Sequence, residues 1–149
     1  MDRKQIILQN DVQQVPLLAQ FVDEVCERLR VGDGTSGMTA GLDMATTMKL
    51  NLAVEEAVVN VMNYAYPQGT VGDINIEAKG DDNQLEFIIS DTGTPFDPTA
   101  KAEVDTTLSA EERPIGGLGI HLVRQIMDGV TYERKDNKNI LTLKKKLHK

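Results

Sequence analysis

Apolar residues recur at helical spacing over residues 38 to 66. At about 100° per residue, Leu50, Val54, Val58, Val61 and Ala65 fall on one side of the resulting helix, with Lys49, Glu56, Asn60 and Asn63 opposite. A helix of this length is stabilised mainly by laying its apolar side against another element, so the chain must also supply a sheet or helices to receive it. Pro67 and Gly69 end the helix. The receiving surface follows directly: residues 73 to 78 and 84 to 90 alternate β-branched and polar side chains as strands do, and Gly80-Asp81-Asp82-Asn83 between them reads as a hairpin turn.

The remaining segments fit the same plan. Ile6, Ile7 and Leu8 suggest a first short strand, after which Asp11 can cap a helix carrying Val15, Leu18, Phe21, Val22, Val25 and Leu29. Residues 32 to 37 break the chain before the long helix. From Thr92 to Pro114 the sequence turns polar and loses its period, which in a compact domain marks a lid or binding loop more often than a plain connection. Residues 116 to 128 resume helical spacing through Ile120, Val123, Ile126 and Met127, and Gly129 can stop that helix. Two further strands are predicted at 130 to 134 and 139 to 146. The order β-α-α-β-β-α-β-β predicts an α+β fold, a two-layer sandwich with helices on one face of a mixed, mostly antiparallel sheet.

With 149 residues and 40% hydrophobic content, one core of ordinary domain size is expected and a second is not, so residues 1 to 149 read as a single domain. A net charge of −7 argues against a general nucleic-acid binder, which needs a broad basic surface to release counterions. It also disfavours nucleotides at long range, so a bound one must be neutralised locally, by a metal ion and aimed backbone N–H groups. Cys26 is the single cysteine, which excludes an internal disulfide and leaves it the role of a small packing residue. No run approaches the roughly 20 apolar residues of a membrane span, and the first ten residues lack a secretory pattern, so a soluble cytoplasmic protein is expected.

Three groups of residues carry chemistry. On the long helix the simplest reading of the polar side is a solvated face, yet Asn60 and Asn63 are poor helix formers, and their presence suggests that the amides are used. Glu56 and Asn60 stand one turn apart, so a carboxylate and an amide oxygen can address the same metal-bound phosphate from a rigid support. Magnesium suits such a place, because it is commonly held by one or two protein groups with phosphate oxygens completing its octahedron. Asp91-Thr92-Gly93 follows a strand, where the bland alternative is an ordinary turn. A carboxylate there accepts a hydrogen bond from the exocyclic amine of adenine and opposes the carbonyl of guanine. Gly116-Gly117-Leu118-Gly119 opens a helix and lets backbone N–H groups approach an anion, although glycines in such places also serve as hinges. It lacks the ending of a P-loop and the βαβ setting of a Rossmann turn.

Taken in order, Glu56-Ala57-Val58-Val59-Asn60, then Asp91-Thr92-Gly93, then a lid at about 92 to 114, then Gly116-Gly117-Leu118-Gly119 resemble the nucleotide-site boxes of the GHKL superfamily. That superfamily includes gyrase, the ninety-kilodalton heat-shock chaperones, sensor histidine kinases and MutL. The segments NLAVEEAVVNVMNYAYP, DTGTPFDP and GGLGIHLVRQIMD look most like its stand-alone anti-sigma-factor serine/threonine protein kinase branch. The resemblance implies the histidine-kinase-like ATPase fold and Mg·ATP as ligand. By position it makes Asn60 the Mg²⁺ ligand, Glu56 the catalytic base, Asp91 the adenine reader with Gly93 as its close-approach partner, and Gly116, Gly117, Leu118 and Gly119 the phosphate-binding turn. It further implies transfer of the γ-phosphoryl group to a serine or threonine of a STAS-type anti-anti-sigma protein, binding of a sigma factor as a homodimer, and control of transcription by partner switching. The competing expectation is a regulatory module that binds ATP and sequesters its partner stoichiometrically, without phosphoryl transfer.

The sequence departs from that branch in two places. Asn139 stands near the start of the last strand, where relatives often carry threonine close to adenine, and no basic residue immediately precedes the glycines. Arg113 lies a little upstream, with a surface role the simpler assignment. His121 is not expected to be a phosphohistidine. Lys144, Lys145, Lys146, His148 and Lys149 form a basic patch read as a solvated strand end, and Met38, Met44, Met48 and Met62 read as core or interface filler.

Overall fold

The computed structural model describes residues 3–28, 44–66, 69–80, 84–97 and 115–146, with the side chains of residues 12, 27, 28 and 115–120 outside that description. Strand β1 (Lys4–Gln9) leads through a 3-10 turn (Val12–Gln14) into α1 (Val15–Arg28) and then α2 (Met44–Tyr64). Strands β2 (Asp73–Gly80) and β3 (Gln84–Asp91) are followed by α3 (Ile115–Ile126), β4 (Gly129–Lys135) and β5 (Lys138–Lys146). The anticipated alternation of elements is present. Asp11 caps as expected, its Oδ1 accepting from Gln13 N at 2.9 Å. Met38, Leu29, Pro67, the 81–83 turn, Arg113 and lid residues 98–114 lie outside the described residues.

The sheet order is β1-β2-β3-β5-β4, and every neighbouring pair is antiparallel. The mixed sheet expected from the sequence has no parallel ladder among the described residues, because β5 lies between β3 and β4, which run in the same direction. Side chains alternate along β3, where Leu85, Phe87 and Ile89 are buried under the helical layer. They meet Ile74, Ile76 and Ala78 of β2, Leu141 and Leu143 of β5, and Val22 and Val25 of α1 in one continuous core. Cys26 is buried within it as a packing residue.

Helix α2 runs through the middle of the helical layer, between α1 and α3. Its apolar side is placed as predicted: Leu50, Val54, Val58, Val61 and Ala65 are all buried. Its polar side is not uniformly solvated. Asn60 is only 5% exposed, whereas Asn63 is exposed and borders a separate groove of about 550 Å³ with Asn10, Asp11 and Tyr66. Of the methionines, Met62 joins the core while Met44 and Met48 lie on the surface.

Two terminal details differ from the expectations, and contacts made by residues of other strands account for both. Gly129 is not a helix stop but the first residue of β4. The helix end is held instead by the Lys145 ammonium, which donates to the Ile126 carbonyl at 2.9 Å, and Asp128 N is already bonded to Lys144 O at 2.8 Å. The basic strand end is correspondingly not wholly solvated, since Lys145 is spent on that cap and Lys144 and Lys79 both approach Glu86. The chain leaves α2 through Gly69 at φ +89°, a left-handed conformation natural to glycine.

Candidate functional site

The end of the sheet where β3 stops is tied to the end of α2. Thr94 donates to the Ala65 carbonyl twice, from its backbone N at 2.7 Å and its Oγ1 at 3.0 Å. Gly93 fits beneath that carbonyl because it has no side chain; a Cβ there would lie 2.7 Å from the Ala65 carbonyl carbon and closer still to the oxygen. The Tyr66 hydroxyl accepts from Thr92 N at 3.1 Å and donates to the Asp73 carbonyl at 2.6 Å. Asn10 secures the neighbouring loop, donating from Nδ2 to Thr70 O at 2.6 Å and accepting from Gly72 N at 2.9 Å. Residues 91 to 94 are thereby fixed against the helix that carries Asn60.

Asp91 continues the inward-facing series Leu85, Phe87, Ile89 and is 3% exposed. Its Oδ1 accepts from Gly93 N at 2.8 Å and from Asn139 Nδ2 at 2.9 Å. Its Oδ2 is buried without a hydrogen-bond partner. Burial pushes the Asp91 carboxyl above its ordinary range, against the opposing influence of the Asn139 and Gly93 hydrogen bonds and the charge of Arg134. On α2, the Asn60 side chain is likewise buried with its Nδ2 unpartnered. Two orphaned polar atoms near one end of the molecule are unusual, because buried polar groups normally find partners. A side-chain amide can turn either its oxygen or its nitrogen to such a place, so Asn60 suits a metal ion as well as an acceptor.

The other expected site residues are placed as follows. Glu56 is half-buried on α2, one turn before Asn60. Gly116, Gly117, Leu118 and Gly119 lie at the start of α3, which packs beside α2, and the backbone N–H groups of Gly116 and Gly117 have no preceding helical carbonyl to bond. His121 is exposed and lies 3.2 Å from Gln125. Tyr64 and Phe96 stack with centroids 5.3 Å apart, adding an aromatic pair next to Asn63 and Thr94 that sequence spacing alone did not single out. No cluster of three or more His, Cys, Asp or Glu suited to a metal occurs among the described residues. Magnesium held largely by phosphate oxygens would need no such cluster. A second hollow, of about 420 Å³, reaches Asp91 from the bare face of the sheet through Asp73, Asn75, Ser90 and Lys138.

Asn139 was the departure in the last strand, and it proves to be buried beside Asp91. Besides its bond to Asp91, its Nδ2 donates to Thr94 O at 2.8 Å, and its Oδ1 accepts from Phe96 N at 3.1 Å and from the Tyr132 hydroxyl at 2.5 Å. Burial pushes the Tyr132 hydroxyl above its usual pKa. Arg134 donates to the Gly93 carbonyl at 3.0 Å. Sequence reading did not reach Tyr132 or Arg134, because their roles depend on the pairing of β4 with β5.

Residues 8–145 match the family described as Histidine kinase-like ATPase domain. A 94-residue stretch is 30% identical to the serine/threonine-protein kinase BtrW of Bordetella bronchiseptica, covering 63% of this chain and 66% of that protein. A 95-residue stretch is 37% identical to the serine-protein kinase RsbW of Listeria monocytogenes, covering 61% of this chain and 60% of that one. The chain thus spans less than two thirds of the length of these relatives. Over 134 residues it is 29% identical to the serine-protein kinase RsbW of Bacillus thuringiensis, covering 87% of this chain and 81% of the relative. In fold it is similar to the crystal structure of the RsbU and RsbW domains of Rv1364c from Mycobacterium tuberculosis, with a TM-score of 0.61 at 12% identity over 97% of this chain and 32% of that one. It is also similar to the histidine kinase domain of the blue-light activated histidine kinase EL346 from Erythrobacter litoralis, with a TM-score of 0.51 at 16% identity over 91% of this chain and 60% of that one. No helix among the described residues is long and apolar enough to cross a membrane.

Proposed function

Because the chain belongs to the histidine kinase-like ATPase domain family, we propose that it binds Mg·ATP between α2, α3 and the end of β3 and phosphorylates a serine or threonine of a STAS-type anti-anti-sigma protein. The observation that carries this reading is the pair of buried, unpartnered polar atoms, Asn60 Nδ2 and Asp91 Oδ2, at two of the positions the motifs single out. Magnesium with the triphosphate supplies charge neutralisation at the transferring phosphoryl group.

The chain's own residues divide the remaining work. Asp91 offers one buried oxygen to the amine of adenine and would oppose the carbonyl of guanine, which favours the former base. Asn60 would hold the metal ion from the protein side. The free N–H groups of Gly116 and Gly117, in the first turn of α3, would bond phosphate oxygens. Glu56, on the same side of α2 and one turn before Asn60, accepts the proton of the attacking hydroxyl. Sigma-factor binding, dimer formation and partner switching, which the resemblance of the sequence motifs implies, belong to the same proposal, as does a cytoplasmic location.

The test incubates the protein and a small STAS-domain partner with γ-labelled ATP and magnesium. Label on a serine or threonine of the partner, lost in Glu56→Gln, is the expected result. Absence of transfer, or undiminished transfer by Glu56→Gln, defeats the kinase assignment. Partner capture that depends on ATP but proceeds without any transfer identifies a stoichiometric regulatory module instead.

A further inference from the structure

Asn139 occupies a position where a polar side chain is expected to border adenine, yet its hydrogen-bonding capacity is already used. A side-chain amide has two N–H donors and an oxygen with two lone pairs. Here both donors are taken by Asp91 Oδ1 and Thr94 O, and both acceptor sites by Phe96 N and the Tyr132 hydroxyl. The orientation follows from the partners: turning the amide over would set its nitrogen against the Phe96 N–H and its oxygen against the two acceptors, Asp91 Oδ1 and Thr94 O. Nothing is left over for a ligand. A threonine hydroxyl, with a single donor, cannot reproduce this set.

The backbone brings these groups together. Asp136 and Asn137, at φ 53° and 63°, form the tight left-handed turn that joins β4 to β5. That turn sets Asn139 opposite Arg134 on one side, and the β3 pairing sets it opposite Asp91 on the other. Arg134 then reaches Gly93 O while Asn139 reaches past it to Thr94 and Phe96. One amide therefore touches the carboxylate, the backbone that leaves β3 toward the long connection, and the last hairpin.

We infer that Asn139 is a positioning residue, which points the free oxygen of Asp91 at the purine and at the same time anchors the Thr94–Phe96 backbone, so that base selectivity and the root of the connecting segment depend on one side chain. Its ligand-facing half rests on the nucleotide reading above; its anchoring half does not.

Asn139→Ala separates the two. In ligand-free protein, hydrogen exchange at the Phe96 amide should quicken about fivefold or more, the equivalent of one ordinary hydrogen bond, beyond any quickening at Ile76 in the core, which reports the change in global stability. An unchanged Phe96 amide overturns the anchoring. With adenosine and inosine triphosphates, which differ in the 6-amine, the preference for the adenine form should fall about tenfold. A role in folding alone weakens both nucleotides alike, and equal weakening, or an unaltered ratio, overturns the positioning of Asp91. Parent protein that binds neither nucleotide refutes the proposed function instead, and the exchange result then decides the inference by itself. Tyr132→Phe, which deletes only one of the four bonds, guards against an Asn139→Ala protein that does not fold: Phe96 exchange should move in the same direction by a smaller factor, and no movement counts against the network.

Discussion

Gly93 lies directly beneath the Ala65 carbonyl, the point at which the end of β3 is pinned to the end of α2. The atom that a side chain would meet is backbone, so the helix end or the strand end must move to admit one. Gly93→Ala is expected to cost about 1–3 kcal/mol of folding free energy through overpacking. It should also weaken adenine nucleotide binding, because Gly93 N holds Asp91 Oδ1. Urea unfolding measures the first effect and calorimetric titration the second; an alanine variant equal to the parent in both removes the pin from the argument.

Asn60 should show the opposite balance. Its buried Nδ2 has no partner, so the folded protein carries a desolvation cost that truncation relieves. Asn60→Ala is expected to leave the unfolding free energy within about 1 kcal/mol of the parent while abolishing magnesium-dependent nucleotide uptake. A variant that binds Mg·ATP as well as the parent does would strip Asn60 of the metal role.

Asp91 makes a pH-dependent prediction. Its carboxyl is raised by burial in the folded state, so between the ordinary carboxylate pKa and the raised value the folded chain holds more protons than the unfolded one. Stability therefore falls as pH rises through that window, because the buried group is then increasingly ionised. Asp91→Asn should raise the thermal midpoint at pH 7, and the difference should shrink on acidification toward the ordinary carboxylate range. The same variant should lose its preference for adenine over inosine nucleotides. A difference that grows on acidification contradicts the sign.

Tyr66 connects three segments through one hydroxyl, which bonds Asp73 O and Thr92 N. Tyr66→Phe keeps the ring and strands the Thr92 N–H, at an expected cost of about 1–3 kcal/mol. Chemical denaturation checks this, and a phenylalanine variant of parental stability would mean that water serves the Thr92 amide equally well.

The elements and the buried stripe of α2 were legible because they depend on local periodicity, which Leu50, Val54, Val58 and Val61 display without interruption. The separation of Asn60 from Asn63 was not. Whether a position on the edge of a helix is covered depends on the neighbouring helix, and α2 has one on each side. Asp91 and Gly93 were legible as a motif, but their restraint was not, since Asn139, Tyr132 and Arg134 reach them only through the register of a hairpin that lies some forty residues onward. The mistaken stop at Gly129 has the same origin: a long-range bond to Lys144 and a lysine from another strand do what a local glycine signal was expected to do.

The insertion of β5 between β3 and β4 has a consequence for how the molecule is made. Synthesis delivers Asp91 and β4 before the strand that must separate them, so β4 has no ladder to join until residues beyond Lys138 emerge. Until then the carboxylate of Asp91 also lacks its amide neighbour. A nascent chain halted in that hairpin would hold Glu56, Asn60, Asp91 and the glycines of α3 yet lack the strand that carries Asn139, so the hydrogen bonds around the Asp91 carboxylate are completed only by the last strand to be made.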